Sequence, residues 1–366
     1  MLLKIGSGDL GPNRVVERPK VIQNSSGKWV MWMHIDDSSY GEAKVGVATS
    51  DSICGTYSYQ RSFQPFGRQS RDMGLFKDTD GSGYLLTEDR QSGLRIIKLT
   101  SDFMNVASDT YLFPSRYEAP AMIKVNGRYF MFASQLTGWD TNDNKYTTST
   151  SLTGGWSSWA NFAPAGERTY DSQTTFILQV GSNYMYMGDR WFSSNLMRSS
   201  YIWLPLTING SSASITWYIN WIIDPSSGSA RVGPSETSYE GEAASMSGGA
   251  KSVSCSGCSG SSAAGYIGAT SGSGGTIRWS SVSSTASTLT TLRFKHQNGD
   301  AKQRFAVVTV NGQSQTVAFL PSTDGNTPAS SAVTVSLNSG SSNVITVSGT
   351  GSGWGPDIDR VMVPVS

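Results

Sequence analysis

Four segments of the first 225 residues open on a polar residue in the same slot. They read Glu17-Arg-Pro-Lys-Val-Ile, Asp72-Met-Gly-Leu-Phe-Lys, Glu118-Ala-Pro-Ala-Met-Ile and Gln173-Thr-Thr-Phe-Ile-Leu. An apolar residue stands four positions on in each: Val21, Phe76, Met122 and Ile177. A turn follows, and the next run begins near an aromatic, Trp29, Tyr84, Tyr129 and Tyr184, which lies 12, 12, 11 and 11 residues after its slot. The slots recur at 55, 46 and 55 residues. The apolar runs alternate and carry no helical period, so the chain reads as all-β. A repeat of this length is one supersecondary unit, with the spacing of propeller blades, each a four-stranded sheet. The first strand of each blade lines the central channel, so Glu17, Asp72, Glu118 and Gln173 are expected to converge on one axis.

Such a grouping suits glycoside hydrolysis, which needs one carboxyl group protonated as acid and another group assisting attack across the sugar ring. Crowding of like charges raises one carboxyl pKa and keeps that acid protonated near neutral pH. Loop aromatics, Trp139 in Gln135-Leu-Thr-Gly-Trp and Trp191 in Gly188-Asp-Arg-Trp, read either as stacking faces for a sugar or as packing between blades.

Composition divides the chain. Residues 1–225 hold nine of the eleven Trp, and residues 226–366 are rich in Ser, Gly, Thr and Ala, with a Ser/Gly stretch near 225–234 reading as a linker. This predicts a propeller over 1–230 and a second domain over 233–366. The formal net charge of +1 gives no footprint for nucleic acid. No apolar run reaches the ~18 residues of a membrane span. Low charge and two sequons, at Asn24 and Asn209, suit an extracellular protein, although the first residues do not read as a signal peptide. Cys255 and Cys258 lack further zinc ligands and read as a local disulfide or two free thiols, while Cys54 reads as a buried thiol or as one whose partner is expected upstream of the first residue.

The motifs Val16-Glu17-Arg-Pro-Lys, Ser70-Arg-Asp72-Met-Gly-Leu-Phe-Lys-Asp-Thr-Asp-Gly81, Tyr117-Glu118-Ala-Pro-Ala and Tyr170-Asp-Ser-Gln173-Thr resemble glycoside hydrolase family 43, most closely its exo-β-1,3-galactanase branch. The resemblance implies a five-bladed propeller of inverting enzymes acting on β-1,3-galactan, the main chain of arabinogalactans, with no catalytic cofactor. It implies Glu118 as general acid and Asp72 as the residue that tunes it. Glu17 would be a sugar contact, and Gln173 a neutral amide standing where a base is wanted. Tyr40 and Thr137 fall where that branch contacts sugar. Four blades are present against the family's five, so the first blade and a signal peptide are expected upstream of residue 10.

The second domain reads as a β-sandwich of short strands. Tyr239-Glu240-Gly-Glu242-Ala and Gly353-Trp354-Gly-Pro-Asp357-Ile-Asp359-Arg-Val resemble carbohydrate-binding module family 35. The resemblance implies that the terminal strand brings Asp359 to Glu240 and Glu242, which are expected on one face of a strand as calcium ligands. Tyr266, Trp354 and Asp357 are candidate sugar contacts by loop position and chemistry. The expected protein is a secreted monomer acting on galactan. An arabinofuranosidase or xylosidase of the same family, or a non-catalytic carbohydrate-binding protein, are the competing readings.

Overall fold

The structure, a computed structural model, describes residues 2–272, 274–324 and 326–365. They group into two compact units. One holds the residues up to Trp191 with Ser200–Tyr218 and Ile223–Ala230; the other holds Phe192–Ser199, Ile219–Ile222 and the residues from Arg231 on.

The first unit contains four antiparallel sheets, each of four strands in chain order. They are β1 (Val15–Gln23), β2 (Trp29–Asp36), β3 (Lys44–Ser50) and β4 (Ser58–Phe63); β5 (Met73–Lys77), β6 (Gly83–Asp89), β7 (Gly93–Leu99) and β8 (Val106–Leu112); β9 (Tyr117–Val125), β10 (Arg128–Gln135), β11 (Lys145–Ser149) and β12 (Ala160–Asn161); and β13 (Gln173–Val180), β14 (Asn183–Arg190), β15 (Ser200–Asn209) and β16 (Ser212–Ile215). Their first strands are neighbours in series: β1 beside β5, β5 beside β9, β9 beside β13. The sheets pack face to face because their middle strands are apolar on both faces. Trp32 and Val47 of the first sheet meet Leu75 and Leu85 of the second. Phe76 and Leu86 meet Met122 and Met131 of the third, and Phe130 and Phe132 meet Tyr186 and Leu204 of the fourth. The outer face of the first sheet, Met31, Met33 and Ile35, is covered by Leu3 and Leu10.

Two expectations change here. Cys54 is exposed rather than buried, because it sits in the turn after β3. Asn24 is buried, with Nδ2 donating to the carbonyl of Asp102 and Oδ1 accepting from the amides of Ser26 and Lys28, so this sequon builds the β1–β2 turn instead of presenting a free amide.

In the second unit one sheet runs Lys251–Ser254, Ser262–Gly265, Asp357–Pro364, Thr288–Gln297 and Ala329–Leu337, with Glu236–Glu240 also paired to Asp357–Pro364. The other runs Ser245–Ser247, Thr276–Ser284, Gly340–Gly349, Arg304–Val310 and Gln313–Phe319. Phe294 and Val361 of the first share one core with Ile277, Phe319 and Val347 of the second. Cys255 and Cys258 form a disulfide.

Candidate active site

Glu17 and Glu118 are aimed by one local device. Each opens a Glu-x-Pro segment whose middle residue is left-handed, Arg18 at φ 52° and Ala119 at φ 53°. Proline has no N–H for the ladder and is tolerated in strands mainly at edges and bulges. The pairing accordingly shifts between Glu17 and Lys20 against β2, and opposite Glu118 between Phe132 and Ser134 of β10. A bulge of this kind re-aims the side chain before it. The left-handed conformation costs a non-glycine residue roughly 1–2 kcal/mol, which the flanking ladders must offset.

Asp72 lies just before β5, and its carbonyl accepts from the amide of Glu88 at 2.9 Å. Two residues on, β5 passes so near β9 that a Cβ at Gly74 would lie 2.3 Å from the carbonyl oxygen of Pro120. Asp72 and Glu118 are drawn together, and Glu88 from the end of β6 joins them. One carboxylate oxygen from each lies within 4.8 Å of the others. Glu118 is 4% exposed. Burial, then the charges of Asp72 and Glu88, push its carboxyl up to about 8. Burial and Asp72 likewise raise Glu88. Arg90 donates to Glu88 Oε1 at 2.5 Å and lies 3.5 Å from Glu118 Oε2.

Gln173 joins this cluster directly: its Nε2 donates to Glu118 Oε1 at 3.0 Å. Its Oε1 accepts from Trp191 Nε1 at 2.9 Å and from Arg18 Nη2. Arg18, 8% exposed, also reaches Asp72 at 3.0 Å and Asp189 at 2.7 Å, so one guanidinium ties together the first, second and fourth sheets. Trp139, 46% exposed, stands edge to face with Trp191 at 5.5 Å, and both line a hollow with Gln173 and Asp189.

Glu17 takes a different set of partners. Tyr40 Oη donates to its Oε1 at 2.7 Å, and His34 Nδ1 lies 3.2 Å from its Oε2. His34 Nε2 lies 2.9 Å from the buried Asp36, which also pairs with Arg71 at 3.0 Å. The hydroxyl of Thr137, by contrast, is engaged within its own loop: it donates to the carbonyl of Asp140 and accepts from Asn142.

The sequence expectation omitted Arg18, His34, Asp36, Arg71, Glu88, Arg90 and Asp189. A signal for part of this set exists. His34, Ser134 and Asp189 are the ladder partners of Glu17, Glu118 and Gln173, and Glu88 bonds back to Asp72. They fall 17, 16, 16 and 16 residues after their slots, a second ring of polar positions in the same repeat.

In the second unit Tyr266 and Trp354 cross at 86° with ring centres 6.0 Å apart. They line a hollow with Val253, Arg304 and Asp357, and Lys251 Nζ stands 4.4 Å over the Tyr266 ring. Elsewhere in that unit Glu240 ends its strand, but Glu242 lies beyond it. Strand alternation therefore does not place the two carboxylates. A turn at Gly241 does: a Cβ there would lie 2.0 Å from the carbonyl of Ile358, and its amide donates to the carbonyl of Asp359 at 2.6 Å. Glu240 Oε2, Glu242 Oε2 and Asp359 Oδ2 are buried and have no hydrogen-bond partner. Three orphaned carboxylate oxygens fit a hard cation such as calcium.

Residues 19–202 match the model for glycosyl hydrolases family 43. No curated protein matches the chain. Among solved structures, an exo-β-1,3-galactanase from Phanerochaete chrysosporium, solved with β-1,3-galactotriose and with galactose, is 38% identical. The match covers 99% of this chain and 85% of that one, with a TM-score of 0.63. An exo-β-1,3-galactanase from Clostridium thermocellum is 26% identical over 90% of this chain and 85% of its own, with a TM-score of 0.59. Alignment of the family model to half of the chain, with end-to-end similarity at 38% identity, establishes that the chain belongs to glycosyl hydrolases family 43.

Proposed function

We propose that the first unit is a β-propeller exo-β-1,3-galactanase that inverts the anomeric centre and acts on the main chain of arabinogalactans. The observation that carries the reading is Glu118, buried against Asp72 and Glu88 and so held protonated at neutral pH. Gln173 donates to its Oε1, which leaves the acid proton on Oε2. From there it passes to the glycosidic oxygen as the bond to the departing sugar breaks. Asp72 is fixed by Arg18 and is the first of the two neighbouring carboxylates that raise the acid.

An inverting pair stands about 6.5–9.5 Å apart with water between. Asp72 and Glu88 lie too close to Glu118 for that geometry. Gln173, bonded to Glu118 at 3.0 Å, is also too close, so the water is placed on the side of Glu17. Two donors already occupy the carbonyl oxygen of Gln173, one of them a guanidinium, so the amide acts as donor and orienter rather than as base. The galactose complexes of the Phanerochaete relative support the choice of sugar. Purified protein should release galactose from β-1,3-galactan and no arabinose from arabinan; the opposite result would overturn the specificity, and binding without turnover would overturn the enzyme.

The second unit is proposed as a β-sandwich carbohydrate-binding module that uses Tyr266, Trp354 and Asp357. Glu240, Glu242 and Asp359 would hold calcium, engaging the three unpartnered carboxylate oxygens and stiffening the turn at Gly241. Calcium bound only by the folded state raises stability by mass action. The melting temperature of the full chain should fall on chelation, and Glu240→Ala should abolish the difference. The disulfide supports a secreted protein, because such bonds persist in oxidising compartments.

A further inference from the structure

His34 stands on β2 with its side chain 2% exposed, and both ring nitrogens face carboxylate oxygens, Nδ1 toward Glu17 and Nε2 toward Asp36. A neutral imidazole has one N–H and one lone pair. With two carboxylates opposite, the lone pair would have to face an oxygen lone pair. Asp36 cannot relieve this, because it is saturated: its oxygens accept from the amides of Asp37, Glu42 and Ala43 at 3.0, 2.7 and 3.1 Å and from Arg71 Nη1 at 3.0 Å. Tyr40 gives its proton to Glu17 and packs its ring 6.0 Å from the imidazole. Across the ladder on β3 the residue facing His34 is the apolar Val45. Around His34 the charged groups are thus Glu17, Asp36 and the more distant Asp72, opposed by Arg71 acting on Asp36.

We propose that His34, carried as a doubly donating imidazolium on the buried Asp36, is the positioning residue that aims Glu17 at the sugar. The sugar as the object of Glu17 rests on the galactanase reading; the charge of His34 does not. Burial works against that charge, but the hydrogen bonds to Glu17 and Asp36 outweigh it and hold His34 above the usual imidazole value. The sign follows. The imidazolium persists below this raised pKa and is lost as pH climbs through it, and Glu17 then loses one of its two donors.

The chain has two histidines, and the other is a natural control. His296 is buried in the second unit, its Nε2 lies 3.0 Å from the carbonyl of Leu320 with no carboxylate opposite among the described residues, and burial lowers it. A long-range proton–nitrogen spectrum of the full chain at about pH 6.5, the usual imidazole value, should show one imidazole mainly protonated on both nitrogens and one mainly neutral, with His34→Gln removing the former. Glu17→Gln should move the titration of His34 downward. A neutral His34 at that pH, or a titration indifferent to Glu17→Gln, overturns the proposal. If the His34→Gln chain does not fold, the titration of wild type and Glu17→Gln still decides. For the positioning role, a Glu118→Gln background should bind β-1,3-galactan, and adding His34→Gln should weaken that binding by on the order of 10-fold, as for loss of one charged hydrogen bond. Equal binding would overturn it. Absence of galactan binding by the wild type would sink the galactanase reading and leave the spectrum to judge the imidazolium.

Discussion

Glu17 and Glu118 occupy the same slot of the same repeat and each precedes a left-handed residue and a proline, yet they meet opposite surroundings. The Glu17 side chain is 33% exposed and receives donors from Tyr40 and His34. That of Glu118 is 6% exposed and faces two further carboxyl groups. One is dressed as an acceptor for a polar ligand. The other accepts from the neutral amide of Gln173 and is buried and crowded by charge, which turns a carboxylic acid into a proton donor at neutral pH. The identity of the residue and its backbone do not separate these roles; the strand ends opposite them do, His34 in one sheet and the Asp72–Glu88 pair in its neighbour.

The largest test of this contrast is Glu118→Gln, which keeps the shape and removes the proton. Turnover on β-1,3-galactan should fall by roughly 10²–10⁴-fold with little change in KM, and near-normal turnover would remove Glu118 from the acid role. Glu17→Gln should act on the other quantity. Losing a charged acceptor for a sugar hydroxyl costs about 1.5–3 kcal/mol, read mainly as a higher KM; a loss confined to kcat would erase the distinction between the two residues. Glu88→Gln sharpens the contrast through pH. Glu118 is protonated below about 8, so kcat/KM should fall as pH rises through that value. Removing a like charge stabilises the ionised form, so the alkaline limb should move to lower pH, and an unmoved limb would leave burial and Asp72 as its whole cause. The smallest effect is expected at Ala119→Gly. Glycine accepts φ 53° without a Cβ penalty, so the melting temperature should hold or rise slightly, with activity retained. A clear loss of activity would mean that the methyl itself packs the acid.

The slots were legible because repetition turns a polar residue at a strand start into a position, and four such positions imply an axis. Gln173 and Asp72 meet Glu118 for that reason. Arg18 was not legible. Its direction comes from a bulge that reverses the expected alternation, and an arginine between glutamate and proline reads equally well as a solvated residue. His34 and Asp36 lay within an apolar run, Trp29–Asp36, whose period says only that the strand is buried. Glu242 failed for the opposite reason: alternation was assumed to continue through a glycine that ends the strand. Thr137 was placed by resemblance alone, and its loop uses the hydroxyl internally.

Gly74 carries a consequence for how such an enzyme could be retuned. It stands two residues after Asp72, and Pro120 stands two after Glu118, so their contact is the spacer of the pair. A methyl group there would drive a wedge between two strands of different sheets. The field at the acid falls with distance, so its proton affinity is governed by a gap as much as by a list of charges. Acidity in this site is partly a length, and its gauge is a residue with no side chain.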